Sequence, residues 1–132
     1  MKRSKTMLRR LTVAVSACFA TSAFALPTGP AVVNGAASVS QNGNVLSVTN
    51  SNGAILNWQK FGIAANEAVR FNQSSASSSV LNRVVGPDPS QIYGQLTSNG
   101  RVWLINPAGI LVGPGGRIDT AGFVASTLNV SN

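Results

Sequence analysis

Between Asn99 and Ile118 the chain reads NGRVWLINPAGILVGPGGRI. Two apolar runs, from Val102 and from Ile110, each end in a tetrapeptide with proline second and glycine last, and Arg117-Ile118 opens a third run. This punctuation excludes a helix, because proline lacks the amide hydrogen that a helix interior needs and glycine weakens the segment further. Short strands joined by tight turns are what remains. Asn106-Pro107-Ala108-Gly109 fits a type I turn, with Asn first, Pro second and Gly fourth. Gly113-Pro114-Gly115-Gly116 places glycine third, after proline, and fits type II. The strands predicted to start at 102, 110 and 117 are therefore only 7–8 residues apart.

The same pattern runs upstream. Val45–Val48, Ile55-Leu56, Val69–Phe71, Val80-Leu81, Val84-Val85 and Ile92–Leu96 are short apolar runs rich in β-branched residues, and Phe123–Ala125 closes the series. Val69/Phe71 and Ile92/Gly94/Leu96 alternate with the period of a strand. Asn42-Gly43, Asn52-Gly53 and Asn99-Gly100 separate successive runs and suit tight turns. Ser74–Ser79 (SSASSS) reads as an exposed loop. Gly86-Pro87-Asp88-Pro89-Ser90 is a second break, followed by a strand predicted over Ile92–Leu96. No window of 11 or more residues keeps a helical spacing, so the fold class is all-β.

Two architectures fit short strands at this spacing. One is an antiparallel sandwich or barrel. The other is a parallel β-helix, whose coils of roughly 20–30 residues stack on one another. Sparse charge, asparagine recurring at turns where side chains can stack, and turns that bend the chain without always reversing it favour the β-helix.

The 132 residues allow at most one domain, and their net charge of +7 would ordinarily suggest nucleic acid or an anionic membrane. Its distribution says otherwise. Lys2, Arg3, Lys5, Arg9 and Arg10 precede an apolar stretch from Leu11 to about Ala20, and Ala23-Phe24-Ala25 stands before Leu26-Pro27. That is the order of a secretory signal peptide, residues 1–25, with cleavage expected between Ala25 and Leu26. The apolar stretch is short of the roughly 20 residues that span a bilayer. A rival cut at Val15-Ser16-Ala17-Cys18 resembles a lipoprotein box, but it leaves a very short apolar region. From Leu26 onward five basic residues face Glu67, Asp88 and Asp119, a net charge of +2, so a nucleic-acid partner is not expected. Cys18 is the only cysteine, so the exported part has no disulfide, and the chain has no histidine. Histidine-dependent catalysis and histidine-ligated metal are thereby excluded. Asn, Ser and Gly each occur 13 times after residue 25, yet the regular apolar runs argue against disorder.

Asn57–Ile63 (NWQKFGI), Asn66–Phe71 (NEAVRF), Leu81–Val84 (LNRV), Ser90–Leu96 (SQIYGQL), Asn99–Ile118 and Gly122–Thr127 (GFVAST) resemble, in order, the amino-terminal secretion domain of filamentous haemagglutinin-like exoproteins. These large haemagglutinins, adhesins and contact-dependent inhibition toxins are exported by two-partner secretion. The resemblance covers essentially residues 26–132. It departs in one turn, where the family's Asn-Pro-Asn-Gly is Asn-Pro-Ala108-Gly, and the family's domain normally continues further, so a fragment or truncated gene is expected.

The resemblance implies a right-handed parallel β-helix with an N-terminal β cap, for which residues 31–49 are the expected segment, turning at Asn42-Gly43. It implies a non-catalytic secretion-targeting role. Inner-membrane secretion machinery and signal peptidase would act at Ala23, Ala25 and Leu26. A partner outer-membrane β-barrel transporter with periplasmic polypeptide-binding domains would then recognise the domain, with Asn106, Pro107, Gly109, Asn66 and Glu67 as candidate recognition residues. The chain would fold outside the cell. No cofactor or metal is implied. Trp58, Phe61, Phe71, Leu96, Trp103 and Phe123 are expected in the core. The alternative readings are a stand-alone secreted or lipid-anchored binding protein and a polysaccharide-cleaving β-helix; the latter needs clustered carboxylates, and Glu67, Asp88 and Asp119 are scattered.

Overall fold

The computed structural model describes residues 25–128, and their regular structure is entirely strand. In chain order the strands are β1 Ala31–Asn34, β2 Ala37–Asn42, β3 Val45–Asn50, β4 Ala54–Trp58, β5 Ala68–Asn72 and β6 Ser79–Val84. They continue as β7 Ser90–Ile92, β8 Gln95–Ser98, β9 Arg101–Ile105, β10 Ile110–Val112, β11 Arg117–Asp119 and β12 Gly122–Ser126. One sheet runs β1-β4-β6-β9-β12, a second β11-β8-β5-β3-β2, and a third pairs β7 with β10. The chain visits these faces in rotation, making a parallel β-solenoid of about four coils. The isolated parallel bridge Ile63↔Ile92 extends the third face one coil toward the N-terminus.

Only the two strands before the first coil break the parallel rule. β2 pairs antiparallel with β3, and β1 pairs antiparallel with β4. Both open edges of the first coil are thus covered by neighbouring pieces of chain, as exposed edges require. The expected cap within residues 31–49 lies here. Its turn differs by one position from the sequence expectation: Asn42 still pairs with Val45, so Gly43 and Asn44 are the two central residues. Gly43 has φ 62, the first-position glycine of a type II′ turn, whose twist suits a hairpin.

The core consists of in-register ladders. On one face Leu46, Val69, Leu96 and Ile118 follow one another across the coils. On the other, Ala54, Val80, Val102 and Phe123 do the same. Such stacking removes each side chain from water against its own counterpart, and full burial of a large apolar side chain contributes about 1.5–3 kcal/mol. Trp58, Phe61, Phe71 and Leu96 are buried in this core, and Trp58 meets Phe61 edge-to-face at 5.6 Å and 80°. The Trp58 indole N–H donates to Asn82 Oδ1 at 2.9 Å, and Asn82 Nδ2 donates to the Trp103 carbonyl at 3.2 Å. Asn82 thereby fills a polar place in the ladder without an unpaired group.

Two further expectations are corrected. Trp103 is not a core residue: it is 43% exposed, because Val102 and Leu104 take the inward positions of β9 and alternation sends Trp103 outward. There it stands in an outer apolar row, Ile55–Leu81–Trp103–Val124. The single strand predicted over Ile92–Leu96 is two strands, β7 and β8, on different faces. Gly94 makes the corner between them, where an added Cβ would lie 2.2 Å from the Ala64 carbonyl and 2.3 Å from that of Glu67. Phe123 is half-buried and packs against the core from the last coil.

Candidate functional site

Asn106 follows β9 directly and lies wholly buried, although Pro107 and Ala108 beside it are exposed. Its backbone N–H donates to the Ser126 carbonyl at 2.9 Å, tying it to the next coil. Its side-chain Nδ2 reaches back to the previous coil, donating to the Asp88 carbonyl and to Ser90 Oγ, both at 3.0 Å. Its Oδ1 accepts from the Ala108 N–H at 2.9 Å, and its carbonyl accepts from the Gly109 N–H at 3.0 Å. The side chain therefore holds its own turn closed and ties it to the previous coil, while the backbone N–H ties it to the next. Ser90 is fully buried opposite it. The Ala108 side chain faces outward, so the departure at this position removes no interior contact.

The next turn has Gly116 N–H donating to the Gly113 carbonyl at 2.9 Å, with φ 84 at Gly115, as a type II turn requires. The tetrapeptides from Asn106 and Gly113 bracket β10 and set it parallel on β7.

Asn66 and Glu67 lie at the other end of β7. Asn66 is exposed, and its carbonyl accepts from Asn44 Nδ2 in the cap hairpin. Glu67 is buried, 3% exposed, and its carbonyl accepts from the Gln95 N–H at 3.1 Å. Its carboxylate accepts from the Ala64 N–H at 2.9 Å and from the Ala25 N–H at 3.2 and 3.3 Å. Among the described residues no hydrogen bond joins Asn66 or Glu67 to the Asn106 turn; β7 stands between them. An ion pair joins Lys60 and Asp88 at 3.4 Å, both well exposed, and contributes at most about 1 kcal/mol.

Ala23 and Cys18 fall outside the described residues. Ala25 is exposed, whereas Leu26 and Pro27 are already buried. Sequence reasoning did not foresee the contact between Ala25 and Glu67. No local pattern announces it, since 42 residues separate the two.

The fold is a capped parallel β-solenoid, with one turn clamped by the buried amide of Asn106. The chain belongs to the family of two-partner secretion domains: the family model described as "TPS secretion domain" matches residues 23–132. A solved structure, the HMW1 secretion domain from Haemophilus influenzae, is similar with a TM-score of 0.76 and 45% identity, over 80% of this chain and 28% of that one. A heme/hemopexin-binding protein of Haemophilus influenzae is 42% identical over 118 residues, 89% of this chain and 13% of the relative. A second heme/hemopexin-binding protein from that species is 40% identical over 77 residues, 58% of this chain and 8% of the relative. The chain thus spans a small part of the length of its relatives. Secretion domains of this family head large exoproteins that leave Gram-negative cells across the outer membrane with a cognate transporter.

Proposed function

We propose that residues 1–25 direct export across the inner membrane and are removed between Ala25 and Leu26. Residues 26–132 are then the address read in the periplasm by the polypeptide-binding domains of the outer-membrane partner. Recognition acts on the extended chain, in which Asn66, Glu67, Asn106, Pro107 and Gly109 are all accessible. Strand addition to an edge of the partner suits its alternating segments. The chain then threads the barrel, and folding outside buries the ladders and biases movement outward. The role is targeting, without catalysis.

The observation that carries this reading is the family match over residues 23–132. The capped first coil supports it, because a cap lets folding begin at the end that emerges first. The test is release into the medium with and without the co-expressed transporter. Release is expected only with it, and equal release without it sinks the proposal. For the whole exoprotein, the names of its relatives make a haem or hemopexin ligand the first to assay.

A further inference from the structure

Glu67 is the buried carboxylate of this fold, and its carboxylate accepts hydrogen bonds from the neutral backbone N–H groups of Ala64 and Ala25. A buried carboxylate without a cation is an expensive arrangement. Both of its oxygens straddle one nitrogen, the backbone N of Ala25. That nitrogen is one residue ahead of Leu26, whose side chain is anchored in the core at 5% exposure. Just beyond, the Thr28 carbonyl accepts from the Gln59 N–H at 2.9 Å and the Thr28 N–H donates to the Lys60 carbonyl at 3.0 Å. The start of the domain is therefore held in place whether or not anything precedes it.

We infer that Glu67 is the docking site for the α-ammonium group created when the signal peptide is removed, so that processing installs the cation this carboxylate lacks. The inference rests on the cleavage reading above. Hydrolysis adds water across the Ala25–Leu26 amide: the carbonyl carbon of Ala25 takes the oxygen and leaves as a carboxylate. The freed nitrogen of Leu26 gains protons and, with an ordinary α-amino pKa near 8, is an ammonium at neutral pH. It lies at most about 3.6 Å of chain from the nitrogen it replaces. A neutral single donor gives way to a charged group with three, a stronger partner for both carboxylate oxygens. A folded chain that kept its signal peptide would have only the weaker contact, and the processed domain gains the stronger one when it folds. Lys60 and Asp88, the charged pair near this junction, engage each other at the surface and leave Glu67 to the new terminus.

The test uses the processed chain recovered from the periplasm and folded in buffer, its N-terminus read by mass. Trace acetic anhydride at pH 7 labels the α-amine in competition with Lys60, the sole lysine after residue 25 and an exposed internal reference. A pair that raises the amine's pKa by one unit lowers its reactive fraction about tenfold. The α-amine-to-Lys60 labelling ratio is expected to rise about tenfold in Glu67→Gln. If that variant does not fold, the same rise is expected when the unaltered chain is unfolded in urea. A ratio unchanged by either treatment overturns the docking inference. A terminus other than Leu26 overturns the cleavage position alone, provided its amine is still protected by Glu67.

Discussion

At the scale of single residues, the fold depends on a few buried amides more than on any charge. Asn106 donates or accepts at every polar position it has, so Asn106→Ala leaves the Asp88 carbonyl, Ser90 Oγ and the Ala108 N–H without their partner. A loss of about 2–3 kcal/mol in urea unfolding of the processed domain is expected. Export should fall more than the precursor level does, as separate immunoblots of medium and periplasm would show. Ala108→Asn, which restores the family's usual residue on an exposed position, should change stability by no more than about 0.5 kcal/mol. The two tryptophans make a second contrast. Trp58→Ala opens a core cavity and should cost about 3–5 kcal/mol. Trp103→Ala, on the outer row, should cost about 1 kcal/mol or less by the same measurement. The stretch VWLI is apolar at every position, so its sequence does not say which residues face inward. Neighbouring coils decide that, through the register that sets Val102 on Val80.

At the scale of elements, the cap is what allows an otherwise open-ended stack to begin. Its hairpin depends on φ 62 at Gly43, where nothing within 4 Å restricts a side chain sterically. Gly43→Val should therefore destabilise through the backbone alone, by about 1–2 kcal/mol. It should also promote self-association, visible by light scattering, as β3 loses its cover. The elements themselves were largely legible, because alternation and turn residues are local signals. The break between β7 and β8 was not. Ile92/Gly94/Leu96 has the alternation of one strand, and only the carbonyls of Ala64 and Glu67, brought close by the previous coil, make Gly94 a corner.

At the scale of the whole molecule, the proposed route has the same chain extended to cross a membrane and coiled afterwards. Absence of cysteine after residue 25 fits that demand, since a disulfide closes a loop that a narrow pore cannot pass. Ser38 and Thr49 face each other across β2 and β3 and are both exposed. The double variant Ser38→Cys/Thr49→Cys should accumulate in an oxidising periplasm and be released when a reductant is added. Undiminished secretion of the oxidised form would argue that the chain does not pass as an extended thread.

The sequence by itself determined the class: apolar runs at short spacing, turns of defined type, and six family segments in order. These are properties of neighbouring residues, and local stereochemistry reads them without help. Which side of a continuous apolar run faces inward, where an alternating run is broken, and how Glu67 meets a backbone nitrogen 42 residues away were decided only by the tertiary structure. Each depends on stacking one coil upon another, and that register is a long-range contact that no local stretch encodes.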